Sequence, residues 1–207
     1  MMRPFVLALV APALAGAVAA QAQGWTESRF ASVATYAFSI PTGDTRQFLS
    51  SPSLMGISWE ANWVFRASTM GVAIGVHDFF DRSNGTTDFD QGSATGEQLR
   101  DLLVATVMPN ARWFPLGVAG RGPYFNLGAG AIFVQQSYQL GVMPQLIRSA
   151  IHLAVAPEVG TVHRLFDGVD AVASVRYMLP TSSGRYLGGG SRSPQFLTIN
   201  VGIAEHF

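Results

Sequence analysis

Leu54-Met55-Gly56-Ile57-Ser58-Trp59-Glu60-Ala61-Asn62-Trp63-Val64-Phe65-Arg66 is the stretch that decides the fold. Met55, Ile57, Trp59, Ala61, Trp63 and Phe65 fall on one face of an extended chain, and Leu54, Gly56, Ser58, Glu60, Asn62, Val64 and Arg66 on the other. Side chains of a strand alternate between faces, so this period of two reads as β and not as helix. Strands of soluble domains usually run about 5–6 residues. Thirteen alternating residues instead suit a tilted bilayer-crossing strand, which needs about 9–11.

Working outward, the same alternation marks Phe30 to Ile40, Thr69 to Phe80, Leu99 to Phe114, Pro123 to Val134, Ser149 to His163, Val169 to Pro180 and Leu197 to Phe207, eight strands in all. Short links are expected near 66–69, 115–121 and 164–168, and longer polar ones near 41–53, 81–98, 139–148 and 181–194. Short turns at one rim and long loops at the other are the habit of outer-membrane barrels, with the long loops outside the cell. An even strand count places both termini on the short-turn, periplasmic side.

Alternation alone does not say which face points outward, because a soluble barrel with an apolar interior alternates too. Bulk decides it. Trp59, Trp63, Phe65, Trp113, Phe125 and Phe133 are too large together for an eight-stranded interior, which is just wide enough for side chains. The opposite face is rich in Gly, Ala, Ser, Thr and Asn, which suits a packed polar lumen. Phe30, Trp63, Phe65, Trp113, Phe125 and Phe207 gather at one end of the strands, and Phe38, Phe80, Phe133 and Tyr177 at the other. These read as two interfacial girdles. The fold class expected is all-β, a closed antiparallel up-and-down transmembrane barrel.

Composition agrees. Only 13% of the 207 residues are charged, net charge is zero, and all 13 basic residues are Arg. Such a chain lacks the basic footprint that nucleic-acid binding needs. The absence of cysteine leaves stability to packing and to the closed ladder. At the N-terminus Arg3, the apolar run Phe5 to Leu14 and Ala20-Gln21-Ala22 read as a signal peptide over 1–22, cleaved before Gln23. Pro12 and Gly16 interrupt the apolar run, which is shorter than the ~20 residues of a spanning helix. Residues 23–207 are then one barrel domain.

These features together, with Ile40-Pro41-Thr42-Gly43-Asp44, Gly128-Ala129-Gly130, Ala156-Pro157-Glu158-Val159-Gly160 and the terminal Phe207, resemble the outer-membrane β-barrel domain family of Gram-negative bacteria. The resemblance spans residues 23–207. It implies residence in the outer membrane among lipid and lipopolysaccharide. It also implies that Ile199, Val201, Ile203 and Phe207 form the C-terminal signal read by the assembly machinery, although Glu205 departs from the apolar residue expected there. Family members include anchors, adhesins, narrow pores and a few enzymes, so the fold alone does not fix the role.

The inward charges are the residues best placed to carry chemistry. Glu60, Arg112, Glu158 and Arg176 lie on lumen faces near Asn110 and Asn126, and unpaired charges there are costly. Strand heights suggest Glu158 with Arg112 and Glu60 with Arg176, as a structural plug or as a gate. Lipid A deacylase barrels resemble this scaffold and use a His, a Ser and an acid on an outer face. Here His152 and Glu158 point inward, and no Ser follows two residues after His152, so the hydrolytic arrangement lacks its parts. His77, His152, His163 and His206 show no metal-ligand spacing. Asp88, Asp90, Gly92 and Glu97 lack the spacing of a calcium loop, and Gly188-Gly189-Gly190 lacks the helix and Lys of a phosphate cradle. The expectation is a non-enzymatic, monomeric barrel without cofactor or metal, whose loops carry its role. A narrow pore is the first alternative and a lipid A-modifying enzyme the second.

Overall fold

The computed structural model describes residues 30–65, 67–89, 92–116, 121–181, 184–185 and 191–206. The proposed signal over 1–22, Arg29, Arg66, Asp90, Gly188 to Gly190 and Phe207 lie outside the described residues. Strand β1 (Phe30–Pro41) leads into a short helix α1 (Gly43–Phe48), followed by β2 (Met55–Val64), β3 (Ser68–Phe89), β4 (Gly92–Trp113), β5 (Gly122–Leu140), β6 (Leu146–Phe166) and β7 (Val169–Pro180). A two-residue ribbon, β8 (Gly184–Arg185) with β9 (Ser191–Arg192), precedes β10 (Phe196–His206).

Eight of these strands form one closed antiparallel barrel in the order β1-β10-β7-β6-β5-β4-β3-β2. Closure is by β10 on β1, from Ala31 opposite His206 to Pro41 opposite Phe196 without a register shift. A closed ring leaves no ladder edge in the bilayer, where an unpaired backbone group would cost several kcal/mol. Outward side chains include Met70, Val107, Trp113, Phe125, Leu127, Phe133 and Val201, all exposed although large and apolar. This band is the transmembrane surface. At its lower edge Phe30 meets Trp63 edge-on at 6.0 Å, and Trp113 stacks on Phe125 at 6.2 Å.

The structure corrects the strand ends. The link expected over 81–98 is a regular hairpin: β3 and β4 pair without a shift from Ser68 opposite Trp113 to Phe89 opposite Gly92. Above the membrane neither face is lipid-bound, so polar residues cease to alternate while the ladder continues. The cross-strand Thr86–Thr95 hydroxyl bond (2.8 Å) and the Arg82–Glu97 ion pair line it, contacts that stabilise paired strands. β5 and β6 likewise outrun their expected ends, meeting up to Tyr138 opposite Leu146.

The lumen is also not uniformly polar. Its upper part is an apolar layer of Phe79, Leu102, Val104, Ile132, Val134, Met178 and Phe196, completed by Phe48 and Leu49 from the end of α1. The first long loop thus turns inward and caps the mouth. The missed signal is that Phe48-Leu49 reads as loop in a stretch too short to show a period. A second apolar layer, of Val33, Phe114, Tyr124, Val162, Val172 and Ala204, lies toward the periplasmic rim. Close strand approach explains some lumen glycines: a Cβ at Gly202 would overlap the Ala34 carbonyl oxygen, and one at Gly130 that of Val107.

Candidate functional site

Between the two apolar layers the lumen is crossed by charge. On one ladder row stand Arg112 of β4, Asn126 of β5, Glu158 of β6, Arg176 of β7 and Thr198 of β10. Glu60 reaches them from β2. Period two sends each of these side chains inward, and register brings them level. All are buried: Glu60 is 2%, Arg112 4%, Glu158 4% and Arg176 9% exposed.

The carboxylate of Glu60 accepts from Arg112 Nη2 through Oε2 (2.5 Å) and from Arg176 Nη2 through Oε1 (2.5 Å). Arg176 also donates to Glu158 Oε2, through Nε at 2.7 Å, with Nη2 at 2.6 Å. Glu158 accepts further bonds from Tyr124 Oη (2.7 Å) and Asn126 Nδ2 (3.0 Å). The Tyr124 ring lies under the Arg112 guanidinium, 4.3 Å from its carbon to the ring centroid, a cation–π contact. Arg112, Glu60, Arg176, Glu158 and Tyr124 therefore form a ring of contacts that returns to its start. Two carboxylates balance two guanidiniums, and the belt carries no net charge.

The structure thus brings together Glu60, Arg112, Glu158 and Arg176. It places Glu60 on Arg176 as expected, but Arg112 bonds Glu60 and not Glu158. The reason is the row itself: Asn126 stands between Arg112 and Glu158 in the ladder, and Arg112 reaches across the lumen instead. Asn110 does not join. It is buried, with neither amide atom partnered among the described residues. Tyr124 belongs to the ring. Ile199, Val201 and Ile203 face outward on the closing strand.

Three polar clusters escaped the sequence. Asp81, above the apolar band, accepts from Ser50 N–H and Ser50 Oγ (both 2.8 Å) and from Ser51 Oγ (3.2 Å), tying the segment after α1 to β3. Burial pushes its carboxyl up, but these bonds and one from the Arg82 backbone outweigh that and hold it below its ordinary value. Arg100 donates to the Phe48 carbonyl (2.9 Å) from the neighbouring strand. At the opposite rim Asp170 meets Arg121 Nε and His206 Nε2, each at 2.9 Å. No spacing announces any of these, because the partners are dozens of residues apart.

A Ser–His contact exists: Ser39 Oγ lies 2.9 Å from His77 Nδ1. Both are buried beneath the plug, the Phe196 ring lies 5.1 Å from the imidazole, and no acid bonds His77 among the described residues. A hydrolase needs its nucleophile where substrate can reach it, which this pair lacks. His152 and Glu158 face the lumen and the residue two beyond His152 is Ala154. Among the described residues no group of three His, Asp or Glu is placed to hold a metal. Glu97 is engaged by Arg82 on the hairpin.

No family model matches the chain, and no curated protein does. Among solved structures it is similar to Ail, the attachment invasion locus protein of Yersinia pestis crystallised with the heparin analogue sucrose octasulfate, at 12% identity and TM-score 0.48 over 88% of this chain and 100% of that one. It is similar to Neisserial surface protein A at 15% identity and TM-score 0.43, over 86% of this chain and 96% of that one. It is similar to outer membrane protein AlkL, solved in DMPC bilayers, at 13% identity and TM-score 0.40, over 91% of this chain and 94% of that one. Likenesses so distant carry no argument about role, and the fold rests on the ring of strands seen in this chain. By that ring, the chain is a small, closed, eight-stranded antiparallel β-barrel.

Proposed function

We propose that the chain is a non-enzymatic integral protein of the outer membrane, exported with residues 1–22 as a cleaved signal, whose specific role is carried by the elements that rise above its barrel. One observation carries this reading: the outside of the ring is a continuous apolar band, while the inside is closed by the charged belt and the plug. The band fits lipid. A lumen filled in this way suits an anchor that presents its hairpins, since small barrels pack their interiors. Lipid and lipopolysaccharide are the surroundings this surface fits, and β10 is the strand that would be offered to the assembly machinery.

Conductance of the refolded protein in planar bilayers tests the reading, with mass spectrometry of lipid A from cells with and without the protein. A silent bilayer and unchanged lipid A are expected. Altered lipid A would restore the enzyme reading.

The narrow-pore reading keeps one supporting observation. The belt is made of side chains, and α1 is tied down by a few hydrogen bonds, so rotamer changes alone would open a path. Steady conductance that rises in Glu60→Gln would put the pore first.

A further inference from the structure

Below the belt a small cavity is lined by Ala31, Val33, Asn62, Thr69, Arg112 and His206, among others, with about 10 Å³ of room for a water centre, the space of roughly one molecule. Four buried polar atoms among its lining residues have no hydrogen-bond partner among the described residues: Asn62 Oδ1, Thr69 Oγ1, Arg112 Nε and His206 Nε2, the last lying 2.9 Å from Asp170 Oδ2. The first three come from three adjacent strands. Thr69 is paired with Arg112 across β3 and β4, and Asn62 stands opposite Gly71, two residues along from Thr69.

Native interiors seldom leave such atoms unmet. Their chemistry selects the occupant. The Asn62 amide is oriented by its Nδ2 donating to Glu60 Oε2 (3.3 Å), so the free atom is an oxygen, which repels an anion. The Arg112 guanidinium repels a cation, and its charge is already met by Glu60. The occupant must be neutral, accept from Arg112 Nε–H and donate to an amide oxygen. The Thr69 hydroxyl takes either role. We propose that this cavity is a built site for one long-lived water molecule, which completes the periplasmic side of the belt. Water makes about three bonds at such sites, the number that Asn62, Thr69 and Arg112 offer, while His206 Nε2 already faces Asp170. The lumen is then hydrated below the belt and dry in the layer of Ile132 and Val134 above it.

Water-to-methyl NOE spectroscopy on the methyl-labelled barrel in lipid nanodiscs tests this. Cross-peaks with the sign of a long-lived water are expected at Val33 and Val162, which also line the cavity, and none at Ile132 or Val134. They should persist in chloride-free sulfate buffer and be lost in Thr69→Val. Absence of cross-peaks in the unaltered protein would overturn the proposal, as would equal intensity at Ile132 and Val134. Loss on removing chloride would assign the cavity to an anion instead, and full retention in Thr69→Val would place the water elsewhere. The measurements on the unaltered protein decide the matter even if the variant does not fold.

Discussion

The belt and the layer above it occupy the same lumen and are built from the same strands by the same alternation, yet one is ionic and the other mostly hydrocarbon, with the buried His77 and His152 set beside Val104 and Ile132. Glu60 and Arg176 sit in the first; Phe79, Leu102 and Phe196 in the second. Both fill the barrel. They differ in what happens when one member is lost. A missing apolar side chain leaves a void whose neighbours keep their other contacts, whereas a missing charge leaves its partner buried and uncompensated. The belt is therefore the brittle region of the lumen and the upper layer the tolerant one.

The widest effect is expected at Arg176, because it alone serves both carboxylates. Arg176→Met should cost about 3–5 kcal/mol in urea unfolding from lipid vesicles, the usual range for breaking a buried pair. Replacing Glu60, Glu158, Arg112 and Arg176 together by apolar residues of similar volume should recover most of that loss. In double-mutant cycles Glu60→Gln with Arg112→Gln should couple, and Glu158→Gln with Arg112→Gln should be closer to additive. Strong coupling in the second pair alone would mean that Arg112 turns to Glu158, and the ring drawn here would be broken.

In the upper layer, Leu102→Ala should cost about 2–4 kcal/mol, within the range for a buried leucine, and the loss should not grow when a neighbour such as Val104 is also shortened beyond simple addition. If Leu102→Ala proves as damaging as Arg176→Met, the contrast between brittle and tolerant regions fails.

The smallest effect belongs to the latch at Asp81. Asp81→Asn should weaken the seating of the segment after α1 by about 1–2 kcal/mol, the worth of charge-assisted bonds at a partly solvated site. The pH dependence follows from the lowered carboxyl. Its stabilisation is fully present above the ordinary carboxylate range and is lost as pH falls through the depressed folded value. The protection factor of the Ser50 amide, its exchange rate relative to the intrinsic rate at each pH, should therefore fall in acid in the unaltered protein and be low and flatter with pH in Asp81→Asn. An unchanged pH profile would show that Asp81 does not hold the plug.

Eight strands and their sidedness were legible because the bilayer imposes period two on each spanning segment, as in Met55 to Phe65. Membership of the lumen was legible for Glu60, Arg112, Glu158 and Arg176 by the same parity. Their partners were not: pairing depends on the stagger between strands, and no single strand encodes it. The polarity of the upper lumen was also hidden. Leu102, Val104, Ile132 and Val134 face inward on strands whose outward faces are apolar as well, so contrast between the faces vanishes there and the period with it. Above the membrane the constraint ends, which is why β3 and β4 outran every expected boundary.

That hairpin has a mechanical consequence. From Asp81 to Phe89 the paired strands continue for eight further residues, about 26 Å of ribbon at 3.3 Å per residue, with no break in the ladder. A ribbon in continuous register is a stiff lever rooted in a closed ring. A ligand seated along it would lose little entropy in ordering it. A push on the tip would be carried along β3 and β4 to the rows that hold Asp81 and, deeper, Arg112.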